Sequence, residues 1–130
     1  MSEGRTPQAR RAASGRAAFR RGHRRERRAA WWLRLKGYRI LAINWRSPVG
    51  EIDLIARRGA CLAVIEVKQR ANTDTATWSL APAQMKRLAR AAELFMAQRA
   101  DCAGLALRFD LIAFGALGWP IHLKDAWRPG

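Results

Sequence analysis

Apolar positions along this chain change period as they run, and each change marks an element. From Gly22 onward Glu26, Ala29, Ala30 and Leu33 recur at i, i+3, i+4 and i+7, which is one face of a helix. The segment closes at "LKGY", where Gly37 suits the position just past a helix end. "YRILAINW" over 38–45 is strand-like, "SPVG" over 47–50 is a turn, and "EIDLIAR" and "CLAVIEVKQR" read as two further strands. Arg58-Gly59 is the expected tight turn between them, because glycine supplies the backbone freedom a hairpin needs. A second helix is predicted from about Pro82 to Gln98, with Met85, Leu88, Ala89, Ala92, Phe95 and Met96 as its buried stripe. "LALRFDLIAF" over 105–114 reads as a buried strand, and "WPIHLKDAW" as a short edge strand, since Pro120 argues against a central place. The order is helix, three strands, helix, one or two strands. It predicts an α/β domain, a mixed β-sheet with helices packed on it.

Charge changes the picture at the ends of the chain. There are 25 basic and 10 acidic residues, a net charge of +15, and nearly all the basic residues are arginine. Residues 1–21 carry arginine with scattered Gly, Ser and Pro and a single acid, which predicts a disordered basic arm ahead of a domain over 22–130. A nucleic-acid-binding tail, a solvated extension and an organelle transit peptide all fit that composition. The overall charge implies attraction to polyanions and makes nucleic acid the expected partner. Cys61 and Cys102 stand apart from each other and from His23 and His122, so no zinc framework is written and two reduced thiols are expected. No apolar run approaches the ~20 residues of a spanning helix, and no signal sequence is legible. A soluble, cytoplasmic protein without a membrane partner is the expectation.

The chemistry lies in the hairpin. Alternation of strand side chains places Glu51, Asp53 and Ile55 on one face, with Ile52, Leu54 and Ala56 on the other. In the next strand Leu62, Val64, Glu66, Lys68 and Arg70 share a face. A turn at Arg58-Gly59 would pair Asp53 with Val64 and Glu51 with Glu66, leaving Asp53 and Glu66 diagonal neighbours. Acids so close repel unless something positive sits among them. Two readings fit: a site for hard, oxygen-seeking Mg²⁺ or Mn²⁺, or a solvated polar face laced with surface ion pairs. Under the first, Lys68 is placed to orient water and to neutralise charge on an attacked phosphate.

Asp53, twelve residues, then Glu66-Val67-Lys68 resembles the PD-(D/E)XK nuclease signature. The wider text "GYRILAINWR", "GEIDLIA", "EVKQR" and "RFDLIAF" resembles the YraN-like family of bacterial proteins over about residues 22–127. The resemblance implies a restriction-endonuclease-like fold with an α-β-β-β-α-β core, related to Holliday-junction resolvases, in which dimers are common. It implies Asp53 and Glu66 as Mg²⁺ or Mn²⁺ ligands, Lys68 as the catalytic lysine and Glu26 as the acid of the first helix; in the metal-site reading of the hairpin, Glu26 and Glu51 complete the shell. The chain departs from the family at Arg25, which stands where a glycine is usual. Arg25, Arg70, Gln84, Lys86 and Arg87 are the implied substrate contacts, although Gln84 also reads as a plain polar surface residue. Asp110, in "RFD", is expected to be structural through bonds to neighbouring backbone. The implied function is a metal-dependent endonuclease, a phosphodiester hydrolase acting on DNA, preferred to RNA, in branched or otherwise non-standard duplex. The alternative is a non-catalytic nucleic-acid-binding or accessory protein on the same fold.

Overall fold

The spacing of Glu26, Ala29, Ala30 and Leu33 does make a helical face, and all four side chains are buried. They belong to α1, helical over residues 23–35 of a computed structural model that describes residues 23–68 and 80–129. The basic arm, Arg70 and the Thr-rich loop over 71–79 lie outside the described residues. Past α1 the amides of Gly37 and Tyr38 bond back to the carbonyls of Arg34 and Leu33, each at 3.0 Å. That pair of bonds ends the helix only if Gly37 turns left-handed, and its φ is +90°. Gly37→Ala therefore carries the left-handed penalty without a steric clash, and is expected to cost about 1 kcal/mol, or roughly 3–5 °C in Tm by thermal unfolding.

Five strands follow: β1 (Arg39–Ser47), β2 (Gly50–Arg58), β3 (Cys61–Lys68), β4 (Ala106–Phe114) and β5 (Pro120–Trp127). They lie side by side in sequence order, antiparallel throughout except for β3 and β4, which run parallel. A parallel pair needs a crossover, and α2 (Pro82–Ala97) lies in that connection. Pro82 opens α2, where its missing N–H costs nothing. Leu88, Ala91, Ala92 and Phe95 form its buried centre, with Met85, Ala89 and Met96 partly buried beside them. The α2 side of the sheet holds one apolar cluster and the α1 side another. The mixed α/β class and the helix-flanked sheet are therefore as expected, including β5 at the edge with Pro120 as its first residue.

The hairpin turn differs from the expected one. Arg58 pairs with Cys61, so the central residues are Gly59 and Ala60 rather than Arg58 and Gly59. Gly59 has φ +59°, and Ala60 is not among the positive-φ residues, the pattern of a turn with glycine first. A turn centred on Arg58-Gly59 would have demanded a left-handed arginine. The register consequently moves by two: Ile55, not Asp53, pairs with Val64. A shift of two preserves faces but changes neighbours.

A second departure concerns the faces themselves. In β1 Ile43 packs with the α1 cluster whereas Trp45, two residues on, packs with the α2 cluster. In β2 Ile52 joins the α2 cluster while Leu54 and Ala56 join the α1 cluster, so Ile52 does not share their face. The residue between Ile43 and Trp45 is Asn44, held at φ +53°. One left-handed residue in a strand reverses the alternation beyond it, and asparagine is among the few side chains that tolerate this.

Candidate active site

Asp53 sits where that reversal occurs, between Ile52, which pairs with Trp45, and Leu54, which pairs with Ile43. The β2–β3 ladder ends at Leu54 and Ile65. Beyond it the Val67 amide donates to Asp53 Oδ2 at 2.9 Å, so a side chain replaces the next ladder bond. Continuing the register by one residue brings Asp53 level with Glu66. Glu66 lies on the α2 side, and Gln84 in the first turn of α2 donates to its Oε1 at 3.3 Å. Glu26 arrives from the α1 side and is 7% exposed. Glu26 and Glu66 thus reach Asp53 from opposite layers, and both share a hydrogen bond with it.

The electrostatics follow from burial and crowding. Desolvation, with the Asp53 charge adding, pushes Glu66 up to about 8, while Lys68 pulls the other way. Desolvation and Asp53 likewise push Glu26 up to about 7, against the Asn44 amide and the Arg25 guanidinium. Asp53 is raised by its own burial, partly offset by the Val67 amide, by Glu66 and Glu26, and by Lys68. At neutral pH the cluster therefore retains protons that ordinary carboxyls would have lost. Glu26 Oε2 is buried without a hydrogen-bond partner.

A raised carboxyl pKa has a definite sign. The folded state binds more protons than the unfolded chain between about pH 4.5 and 8, so stability falls as pH rises through that window. Glu66→Gln removes the ionisation and is expected to stabilise the metal-free protein at pH 8 by on the order of 2 kcal/mol, with little gain at pH 5. Urea denaturation at the two pH values measures the difference.

The structure brings together Asp53, Glu66, Lys68 and Glu26, with Arg25 at the margin. It does not bring in Glu51, which is exposed and lies 3.6 Å from Arg46 across the β1–β2 ladder. The two-residue register shift carries Glu51 past Glu66, which corrects the expected pairing. Gln84 is half-buried on Glu66 rather than a plain surface residue. Lys86 and Arg87 are exposed on α2. Sequence reasoning missed Asn44, whose only signal was an amide interrupting the apolar run from Ile40 to Trp45.

Among the described residues no three acidic, His or Cys side chains stand as a ready cage for a metal ion. The donor set that fits a hard divalent cation is the smaller one, Asp53 and Glu66. Mg²⁺ commonly uses one or two carboxylates and leaves its other positions to water and phosphate. The buried, unpartnered Glu26 Oε2 is the further sign that this cluster is short of a positive partner.

Outside the cluster, Asp110 is fully buried and accepts from the Asp125 amide, as the structural reading requires. Cys61 and Cys102 are both free thiols. Trp32 packs on the α1 cluster while Trp31 is 65% exposed. Among the described residues no helix is long and apolar enough to cross a membrane.

The family model described as Uncharacterised protein family UPF0102 matches residues 25–114. The chain is 50% identical over 117 residues to a UPF0102 protein of Parvibaculum lavamentivorans, covering 90% of this chain and 88% of that protein. It is 48% identical over 116 residues to one from Paramagnetospirillum magneticum, covering 86% and 90% of the two chains. A Brucella canis relative is 47% identical over 115 residues, covering 88% and 91%.

Proposed function

The chain belongs to the UPF0102 family, the YraN-like proteins, and on that premise we propose that it is a metal-dependent phosphodiester hydrolase of the PD-(D/E)XK type acting on DNA. One observation carries the reading. Glu66 and Glu26 converge on Asp53 from opposite layers, and their burial, with the Asp53 charge adding, raises both carboxyls toward neutral pH, while Lys68 stands beside them. A solvated structural face has no need of that expense, because exposed carboxyls simply ionise.

Asp53 and Glu66 would hold Mg²⁺ or Mn²⁺. The ion supplies electrophilic assistance at a phosphoryl oxygen and neutralises charge. Lys68 projects from the same face of β3 as Glu66, where its ammonium can orient an attacking water and meet the charge that builds on the phosphate. Gln84 fixes the Glu66 carboxyl in place. Arg25 adds positive charge near Glu26, where it can meet a substrate phosphate. The field of a chain with net charge +15 gathers a polyanionic substrate toward this site.

Calorimetric titration with Mn²⁺ is expected to show one site in the wild type and none in Glu66→Ala. Labelled linear, single-stranded and branched DNA should then be cleaved with Mg²⁺ present. Failure of every substrate together with absent metal binding overturns the reading. Among the described residues no three-ligand cage stands, and a second reading keeps the fold without the chemistry, as a non-catalytic nucleic-acid-binding protein. In that case Asp53→Asn leaves binding and cellular role intact.

A further inference from the structure

At the opposite end of α1 from Glu26, a second charged group gathers on the α1 side of the sheet. Lys36 Nζ lies 3.1 Å from His122 Nδ1 and 4.0 Å from the centre of the Trp32 ring. His122 Nε2 lies 2.8 Å from Asp110 Oδ2. A carboxylate can only accept there, so Nε2 carries the proton and Nδ1 accepts from the lysine. Arg108 donates to Tyr38 Oη at 2.8 Å, and Arg58 sits 5.7 Å from the centre of the same ring. Burial first, and then Lys124, Arg58 and Arg108, drive the Lys36 pKa down, with Asp110 opposing them.

Asp110 is a poor counter-ion for this group as a whole. Its oxygens already accept two bonds from Arg108, one from His122 and one from the Asp125 amide, and it is 0% exposed. Lys36 therefore stands among Arg58, Arg108 and Lys124, while the acid nearest to it is closed to solvent and already taken up by Arg108 and His122. Three arginines elsewhere do face acids of their own: Arg46 with Glu51, Arg99 with Asp101 and Arg128 with Asp125. Arg58 and Lys124 are exposed, and Lys36 and Arg108 are half-buried. An anion arriving from solvent meets donors that are already positioned and mutually repelling.

We propose that Lys36, Arg58, Arg108 and Lys124 form a phosphodiester-backbone contact, separate from the acidic cluster, that holds a nucleic-acid strand along α1. The proposal rests on the reading that this protein acts on nucleic acid. The ten residues from Glu26 to Lys36 span about 15 Å of helix. At about 3.4 Å per phosphate along one strand, the contact lies roughly four to five nucleotides from the acidic cluster. Arg27 and Arg34 are exposed on α1 between the two ends. The site thus sets a minimum length for a well-held substrate.

Four lysines in the chain, Lys36, Lys68, Lys86 and Lys124, make the test local. Acetylation by a water-soluble succinimidyl ester, followed by peptide mass spectrometry, is run in EDTA with and without a DNA duplex of about twenty base pairs, long enough for this spacing. Lys36 and Lys124 are expected to react at least several-fold more slowly with the duplex. Tripolyphosphate at equal phosphate concentration should protect them much less. The variant Lys36→Gln/Arg58→Gln/Lys124→Gln should bind the duplex at least tenfold more weakly at 0.1 M salt. Its log–log salt slope should be shallower by about two to three. Arg58→Gln/Lys124→Gln, changing only exposed residues, gives the same direction if the triple variant does not fold. Unchanged reactivity of Lys36 and Lys124, equal protection by tripolyphosphate, or an unchanged salt slope overturns the proposal. Protection that persists where Mn²⁺ binding and cleavage are absent sustains this contact and removes only the hydrolase reading.

Discussion

Asp53→Asn is expected to leave the protein folded and to lower Mg²⁺-supported DNA cleavage by about 10³-fold or more, equivalent to roughly 4 kcal/mol of transition-state stabilisation. The asparagine keeps an oxygen for the Val67 amide, which Asp53 accepts at 2.9 Å, so the end of the β2–β3 ladder survives. What it removes is the charge that joins Glu26 to Glu66. Glu66 is pushed up to about 8 partly by the Asp53 charge, so the variant should also titrate Glu66 at lower pH than the wild type does. Two readouts separate chemistry from structure: single-turnover cleavage, and carboxyl titration followed by NMR with labelled glutamate. Asp53→Ala should lose cleavage to the same extent and add a stability cost of about 1–2 kcal/mol, because the Val67 amide is left without its acceptor. Cleavage within tenfold of wild type in Asp53→Asn would remove this residue from the chemistry.

Asp110→Ala is expected to destabilise the fold by about 3–5 kcal/mol, which for a domain of this size approaches unfolding at physiological temperature. Removing the carboxylate strands a half-buried arginine, a buried histidine N–H and the Asp125 amide at once. Burial opposes the charge of Asp110, but the bonds from His122, Arg108 and the Asp125 amide outweigh it and hold the carboxyl at about 2. A depressed carboxyl pKa contributes stability that is present above the unfolded value, near 3.8, and lost as pH falls toward 2. Guanidinium denaturation at pH 7 and pH 2.5 should therefore show the wild type and the variant converging in acid. A difference of less than 1 kcal/mol at pH 7 would mean that Asp110 does not organise β4 and β5. Asp110→Asn, which retains two partners, should lose about half as much.

Glu66→Gln moves stability the opposite way. One half-buried acid, Glu66, and one fully buried acid, Asp110, thus carry opposite signs, the first relieved by neutralisation and the second ruined by it. The physical difference is the number of donors aimed at each. Asp110 accepts bonds from Arg108, His122 and the Asp125 amide, whereas Glu66 receives one long bond from Gln84 and faces another carboxyl.

Much of this was legible in the sequence because it depends on local periodicity. The spacing of Glu26, Ala29, Ala30 and Leu33, the left-handed demand at Gly37 and the alternation in β3 are each set within a few residues of chain. So is the pairing of a proline with an edge strand. Glu26 could be singled out by the same means, as the one carboxyl on an otherwise apolar helical face.

Other features depended on choices that neighbouring residues leave nearly balanced. Gly59 satisfies a hairpin turn as either its first or its second central residue, and the full set of ladder pairs across three strands selects the first. That choice moved Glu51 out of the site and set Asp53 level with Glu66. The left-handed Asn44 is an isolated cost, affordable only because it lets Trp45 and Ile52 pack beneath α2 while Ile43 and Leu54 pack beneath α1. The chain by itself determined which residue types were available for chemistry, since short-range pattern fixes elements and their faces. The tertiary structure decided which of those residues meet, because burial and charge act across distances that sequence separation does not measure.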